Sequence, residues 1–360
     1  MTILRSPSKY VQGKNELSNL YFYASAFAKR TVFAIVDPFV IAHYEPQIKS
    51  SFAGKELALL LETFRGECSK SEVERLQGII KETGAEVVVG VGGGKTLDTA
   101  KAVAYYAQLP VIICPTIAST DAPCSALSVL YHDNGTFDQY LFLRQNPNVV
   151  LVDTQIIVKA PVRMLVAGMG DALATYFEAR ASIRANAPVV QDGYATNAAF
   201  ALSERCYEIL LEDGFQAAVA VSLGQLTKSV ENIIEANTYL SGIGFESCGL
   251  AAAHAIHNGL TVLPGTHAMV HGEKVAFGTI AQLVLENAPE EELDEVIAFC
   301  KRVSLPTTFA QLGIKSPGAD EIMAVAEASC AEGETIHNMP FPVTPADVCA
   351  AILVADRLGQ

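Results

Sequence analysis

No Cys-x-x-Cys pair occurs among the eight cysteines, which are scattered along the chain. That excludes the sulfur-ligand zinc ribbons, and a disulfide framework does not suit a chain of this length. A reducing cytoplasm is the expected compartment. Basic residues are scarce, with 25 Lys+Arg against 39 Asp+Glu and a net charge of −14. Nucleic acid and anionic membrane surfaces both require a basic face, so neither is expected as a partner. Residues 1–13 include Arg5 and Lys9 and lack the apolar core of a signal peptide.

Charge of either sign is also low, at 18% of 360 residues, while 50% are apolar. This composition excludes a disordered chain, and the length suggests about two domains with sizeable cores. Two stretches lack fixed charge for long enough to span a bilayer, Lys101 to Asp121 and Glu246 to Glu273. Pro110 and Pro115 break the first. The second holds His254, His257, His267 and His271, with Asn258 and Pro264. Four imidazoles in one span would be costly in lipid, so both are read as parts of a soluble fold. The apolar excess is assigned to cores and subunit contacts.

Up to about residue 155 the chain alternates strand and helix signals. Thr31–Val36, residues 86–91, 110–114 and 149–152 are short buried-strand runs. Ser71 and Glu74 have capping-box spacing, opening a helix that closes at Gly84. Residues 96–108 have helical spacing. Strands separated by helices predict a parallel sheet covered on both faces. After Pro161 the pattern is helical: 161–183, 193–212, 215–240, 246–260, 267–285, 289–304, 318–332 and 344–357. The division predicted is an α/β domain over 1–158 and an all-helical domain over 159–360. A cleft between two such domains is a usual place for a site.

Gly90, Gly92, Gly93 and Gly94 follow the strand at 86–91 and precede a helix. Glycines let backbone N–H groups approach phosphate oxygens, and a helix N-terminus adds positive potential. A tight turn without a ligand is the weaker alternative. Neither standard nucleotide motif fits. Gly94-Lys95-Thr96 ends like a P-loop, but Val89 stands where its first glycine belongs. Gly90-x-Gly92-x-x leads to Lys95 rather than to glycine, so the Rossmann fingerprint fails. Asp37 closes the strand upstream. It is either a ribose-binding carboxylate or an ordinary Asp-Pro turn.

Four of the seven histidines lie between 254 and 271. His254 and His257 are three apart, and His267 and His271 four apart, a chelating spacing on one helix face. Ala268 follows His267, so no HExxH metalloprotease motif is present. Asp171 and Glu178 are carboxylates that could complete a metal site. Asp171 after Gly170 could instead be an N-cap. Spacing does not select among these ligands.

Residues 90–101 (GVGGGKTLDTAK), 115–131 (PTIASTDAPCSALSVLY), 168–181 (GMGDALATYFEARA), 235–247, 249–260 and 271–279 resemble the iron-containing alcohol dehydrogenase superfamily. Within it they resemble the zinc-dependent, glycerol-oxidising branch. The likeness runs over nearly the whole chain and implies the dehydroquinate-synthase-like fold, with an α/β dinucleotide domain before a helical one. Carried over by position, it implies Asp171, His254 and His271 as ligands of one Zn²⁺ per subunit. His257 and His267 become neighbours of that site. The superfamily's fourth ligand position is Thr175 here. For NAD it implies Asp37 at the adenosine ribose and Gly92, Gly93, Gly94 and Lys95 at the pyrophosphate. Thr116, Ser119, Ser125, Leu127 and Tyr131 line the rest. Asp121 would hold a substrate hydroxyl. The implied reaction is reversible oxidation of glycerol to dihydroxyacetone, in a homo-oligomer of the octamer kind. The alternatives are another diol, hydroxyketone or polyol-phosphate dehydrogenase, or a dehydroquinate-synthase-like lyase. Cys124 is expected to be an inert thiol.

Overall fold

The computed structural model describes residues 1–360, which form two compact units. One comprises Arg5–Ala118 and Ala122–Ala160. The other comprises Met1–Leu4, Ser119–Asp121 and Pro161–Gln360.

The first unit is α/β. Its elements are β1 (Tyr10–Gly13), α1 (Leu20–Ala24), β2 (Thr31–Val36), α2 (Pro38–Phe52), β3 (Ala58–Thr63), α3 (Lys70–Thr83) and β4 (Val87–Gly92). There follow α4 (Gly94–Ala107), β5 (Val111–Pro115), β6 (Leu127–Tyr131), β7 (Phe137–Phe142), β8 (Val149–Asp153) and α5 (Thr154–Ile157). Six strands make one parallel sheet in the order β1-β8-β5-β4-β2-β3. The inner strands β4, β5 and β8 are buried along their whole length, which is why they read as unbroken apolar runs. Val32, Ala34, Val36, Val87, Val89 and Val91 join Leu17, Leu20 and Ile48 in one core cluster.

The sequence did not announce the edge strands β1 and β3 or the antiparallel hairpin β6–β7. These are half-buried or exposed along much of their length, and β1, β6 and β7 carry no continuous apolar run, while the Ala/Leu run of β3 lacks the β-branched residues that mark a strand. The cap of α3 also differs from expectation. Ser69, not Ser71, is its N-cap and accepts from the Glu72 N–H, while Ser71 bonds to Asp133. Glu72 turns to the Arg65 N–H and to Arg75 instead of closing a box.

The second unit is helical from Pro161 onward, with no strand element. Its helices are α6 (Val162–Arg184), α7 (Asn197–Ser222), α8 (Lys228–Glu235), α9 (Ser241–Cys248) and α10 (Ala252–Leu260). Then come α11 (His271–Leu285), α12 (Glu290–Val303), α13 (Ala319–Ser329) and α14 (Pro345–Gly359). The break expected at Asp213-Gly214 is absent. There α7 continues, because Gly214 serves close packing under Phe299, where a Cβ would lie 2.9 Å from the ring. The helix expected over 246–260 is interrupted at Gly249, which has φ +95°. The helix expected from 267 begins only at His271, because 264–268 is a separate 3₁₀ turn. Helices α6 and α11 are buried on nearly every face, as expected at the centre of a bundle.

Candidate metal and dinucleotide sites

Asp171 lies mid-way along α6 and is wholly buried, so the N-cap reading does not apply. Its Oδ2 accepts the backbone N–H of Asp121 at 3.1 Å. Its Oδ1 has no hydrogen-bond partner, yet lies 3.1 Å from His271 Nε2 and 3.4 Å from His254 Nε2. His254 is in the first turn of α10, and His271 is the first residue of α11. One donor atom from each of the three residues lies within 4.8 Å of the others.

A glycine crossing brings two of these residues together. A Cβ on Gly170 would lie 2.3 Å from the Gly272 carbonyl oxygen, and one on Gly272 would lie 1.8 Å from that of Ala167. Only glycines allow α6 and α11 to meet so closely, and the neighbouring residues are Asp171 and His271.

An orphaned carboxylate oxygen facing two imidazole nitrogens fits a divalent cation. A set of two nitrogens and one oxygen suits zinc, and three protein ligands leave a coordination position open. Burial opposes ionisation of Asp171, but His271 and His254 hold its carboxyl well below the usual range. Burial opposes protonation of His254, but Glu178 and Asp171 push its pKa well up.

Asp121 is buried beside this cluster. Ser241 donates to its Oδ2 at 2.9 Å, and Thr175 lies 2.8 Å from the Ser241 hydroxyl. Burial first, and then Asp171, push the Asp121 carboxyl well above the normal carboxylate range. Thr175 packs against Gly244 of α9, where a Cβ would lie 2.4 Å from its methyl group. The position where the resemblance implied a fourth ligand therefore holds a hydroxyl engaged with Ser241.

The other two histidines do not join the cluster in the way their spacing suggested. His267 is exposed on the 3₁₀ turn and bonds to the Thr261 carbonyl, so no helix face pairs it with His271. His257 packs edge-on to His271 at 4.2 Å and places Nδ1 against Asn258. Burial, then His271, lower its pKa well below the ordinary histidine value.

In the α/β unit, the connection from β3 carries the chain past β2 to β4, so the strand order reverses between β2 and β4. In doubly wound sheets, ligands bind outside the carboxyl ends of the strands at that point. The residues there are Asp37 and Gly92. A Cβ on Gly92 would lie 2.9 Å from the Asp37 Cβ. Asp37 accepts from the Phe39 N–H at 2.8 Å, and so caps α2. Gly93 caps α4 without a side chain, and a Cβ on Gly94 would meet nothing within 4 Å. Open space before an uncapped helix N-terminus suits an anion.

The remaining expected cofactor residues surround α4. The Thr116 N–H donates to the Gly92 carbonyl. Lys95 lies 2.6 Å from Glu67 and 5.1 Å from the Tyr131 ring, so its charge is already paired. The Ser125 hydroxyl donates to the Ala122 carbonyl. Ser119 belongs to the helical unit rather than to this one. Lys101 was not anticipated. It is buried on α4, pairs with Asp98 at 2.9 Å, and donates to the carbonyls of Ala122 and Leu127. Asp98 in turn accepts the Val129 N–H. An i,i+3 charge pair in an otherwise apolar helix was the signal available in the sequence.

The family model for "iron-containing alcohol dehydrogenase" matches residues 7–154. A glycerol dehydrogenase of Citrobacter freundii is 54% identical over 360 residues, covering 100% of this chain and 98% of its own. The chain belongs to the iron-containing alcohol dehydrogenase family. It is thus an alcohol oxidoreductase. The structure of glycerol dehydrogenase from Schizosaccharomyces pombe superposes with TM-score 0.96 at 39% identity, covering 100% of this chain and 91% of that one. That of a probable glycerol dehydrogenase from Sinorhizobium meliloti gives 0.93 at 44%, covering 100% and 99%.

Proposed function

We propose that this chain oxidises glycerol reversibly to dihydroxyacetone, with NAD as hydride acceptor and one Zn²⁺ per subunit on Asp171, His254 and His271. The observation that carries the metal part is the buried Asp171 Oδ1, which faces two imidazole Nε2 atoms and has no hydrogen bond. The full-length likeness to glycerol dehydrogenases supports the substrate.

When bound, zinc supplies Lewis acidity toward an alcohol oxygen, and NAD supplies the hydride acceptor. The chain's own residues orient and discriminate. Ser241 occupies Asp121 Oδ2, and Oδ1 is the oxygen we assign to a substrate hydroxyl. The backbone tie from Asp121 to Asp171 fixes that oxygen relative to the metal ligands, and such orientation can supply much of a rate. At the switch point, Asp37 binds the ribose hydroxyls and repels a 2′-phosphate, which favours NAD over NADP. The uncapped start of α4 receives the pyrophosphate. Homo-oligomerisation and a cytoplasmic location belong to the same proposal.

The test is an NADH-production screen of small polyols, monitored at about 340 nm, the reduced nicotinamide band. Glycerol with added Zn²⁺ is expected to give net NADH, and metal-stripped protein is expected to give little. Activity retained in full after chelation would remove the metal from the reaction. Turnover without net NADH would favour the lyase reading, because a lyase regenerates its NAD. Preference for another diol or a polyol phosphate would move the substrate and leave the scaffold reading intact.

A further inference from the structure

Glu178 lies about two turns beyond Asp171 on α6, and its side chain is fully buried. Its two oxygens have separate partners. Oε1 accepts the backbone N–H groups of Ala251 at 2.8 Å and His254 at 3.0 Å. Oε2 lies 2.6 Å from His254 Nδ1. The first set compensates for a missing cap. Helix α10 begins after Ala251, which has no side chain able to accept a hydrogen bond. Glu178 therefore caps α10 from a different helix.

The second contact decides the state of the ring. A carboxylate 2.6 Å from Nδ1 favours the tautomer with the proton on that nitrogen. Nε2, on the opposite side of the imidazole, faces Asp171 Oδ1 at 3.4 Å and is the nitrogen that would ligate a metal. A histidine offers a metal that nitrogen only in this tautomer. We propose that Glu178 is a positioning residue for the metal site, fixing the tautomer and ring direction of His254 and thereby setting metal affinity. This rests on the metal reading of Asp171, His254 and His271. Loss of such a partner typically costs 10- to 100-fold in metal affinity.

Glu178→Gln separates the two roles. The glutamine Oε1 can still accept both backbone N–H groups. Its amide NH₂ would donate to Nδ1, moving the imidazole proton to Nε2. That proton would then point at Asp171 Oδ1, so the metal-free form stays hydrogen-bonded while the ligand lone pair is lost.

The experiment uses the full chain, stripped of metal, titrated with Zn²⁺ against a chromophoric chelator of known affinity. Thermal denaturation of the metal-free proteins is run alongside. Glu178→Gln is expected to weaken Zn²⁺ binding about 10- to 100-fold, with an apo Tm within ~3 °C of wild type. Glu178→Asp, which keeps an acceptor-only group, is expected to bind Zn²⁺ more tightly than Glu178→Gln. Equal affinity in wild type and Glu178→Gln would overturn the proposal, and so would equal affinity in the two variants. A wild-type chain that takes up no Zn²⁺ would overturn the metal reading together with this one. Wild-type uptake matched by Glu178→Gln would overturn the role of Glu178 alone.

Discussion

Gly272 lies so close to Ala167 that a methyl group on it would stand 1.8 Å from the Ala167 carbonyl oxygen. This contact between α11 and α6 sets His271 beside Asp171. Gly272→Ala would force the helices apart. Overpacking of this kind costs ~1–3 kcal/mol. A Tm lowered by several degrees is expected, together with weaker Zn²⁺ uptake. Unchanged uptake in a destabilised variant would uncouple the crossing from the ligand geometry.

Asp171→Asn keeps the shape of the side chain and removes its charge. Its Oδ1 is the atom with no hydrogen bond, between His254 and His271. Metal affinity and glycerol oxidation should both fall by more than the ~100-fold upper range for an outer-sphere residue. Metal analysis of the purified variant, paired with kcat/KM, checks this.

Asp37 both caps α2 and lies at the sheet's switch point. Asp37→Ser retains a capping oxygen, so helix stability should change little. The preference for NAD over NADP should drop by roughly tenfold or more as the repulsion of a 2′-phosphate is lost. Comparison of kcat/KM for the two cofactors is the measurement. An unchanged ratio would remove Asp37 from the cofactor site.

Lys101 is buried with its charge against Asp98. Lys101→Met would leave Asp98 buried and unpaired, at a cost of about 3–5 kcal/mol. The double variant Lys101→Met, Asp98→Leu should recover part of that loss. Denaturant unfolding of both variants tests the pair. A raised KM for NAD in folded Lys101→Met would show that the Ala122 and Leu127 carbonyls need their donor.

Six of the eight cysteines are buried, Cys124 among them. Burial pushes the Cys68 and Cys300 thiols up to about 12. A raised thiol pKa means less thiolate at a given pH, so at pH 8 only about one in ten thousand such groups is reactive. Native protein at pH 8 should therefore be alkylated by iodoacetamide at Cys330 and Cys349 alone. Peptide mapping after labelling reads this out.

Several features were legible in the residues by themselves. The inner strands β2, β4, β5 and β8 are continuous apolar runs because both faces of a parallel sheet are covered, and burial of that kind leaves a composition signal. The change to helix at Pro161 was equally plain, since proline suits a first turn. The concentration of histidine between 254 and 271 marked the segment that packs against Asp171. It did not tell which imidazoles face that carboxylate. His267 and His271 have the better spacing, yet a 3₁₀ turn separates them and directs His267 to the Thr261 carbonyl.

Only the tertiary structure decided the rest. Asp171, His254 and His271 meet through the crossing of three helices, which depends on how closely backbones approach and not on sequence distance. The edge strand β1 and the β6–β7 hairpin escaped notice because they carry no unbroken apolar pattern, and β3 because an Ala/Leu run does not distinguish strand from helix. Glu178 is a charge whose partners sit on α10, so its role was invisible until the fold paired them, whereas the Lys101–Asp98 pair is local to α4 and only its carbonyl partners Ala122 and Leu127 needed the fold. The low charge between Glu246 and Glu273, which first raised the question of a membrane, belongs to residues packed around a buried carboxylate. Periodicity reports which side of an element is dry. It does not report what the element will face.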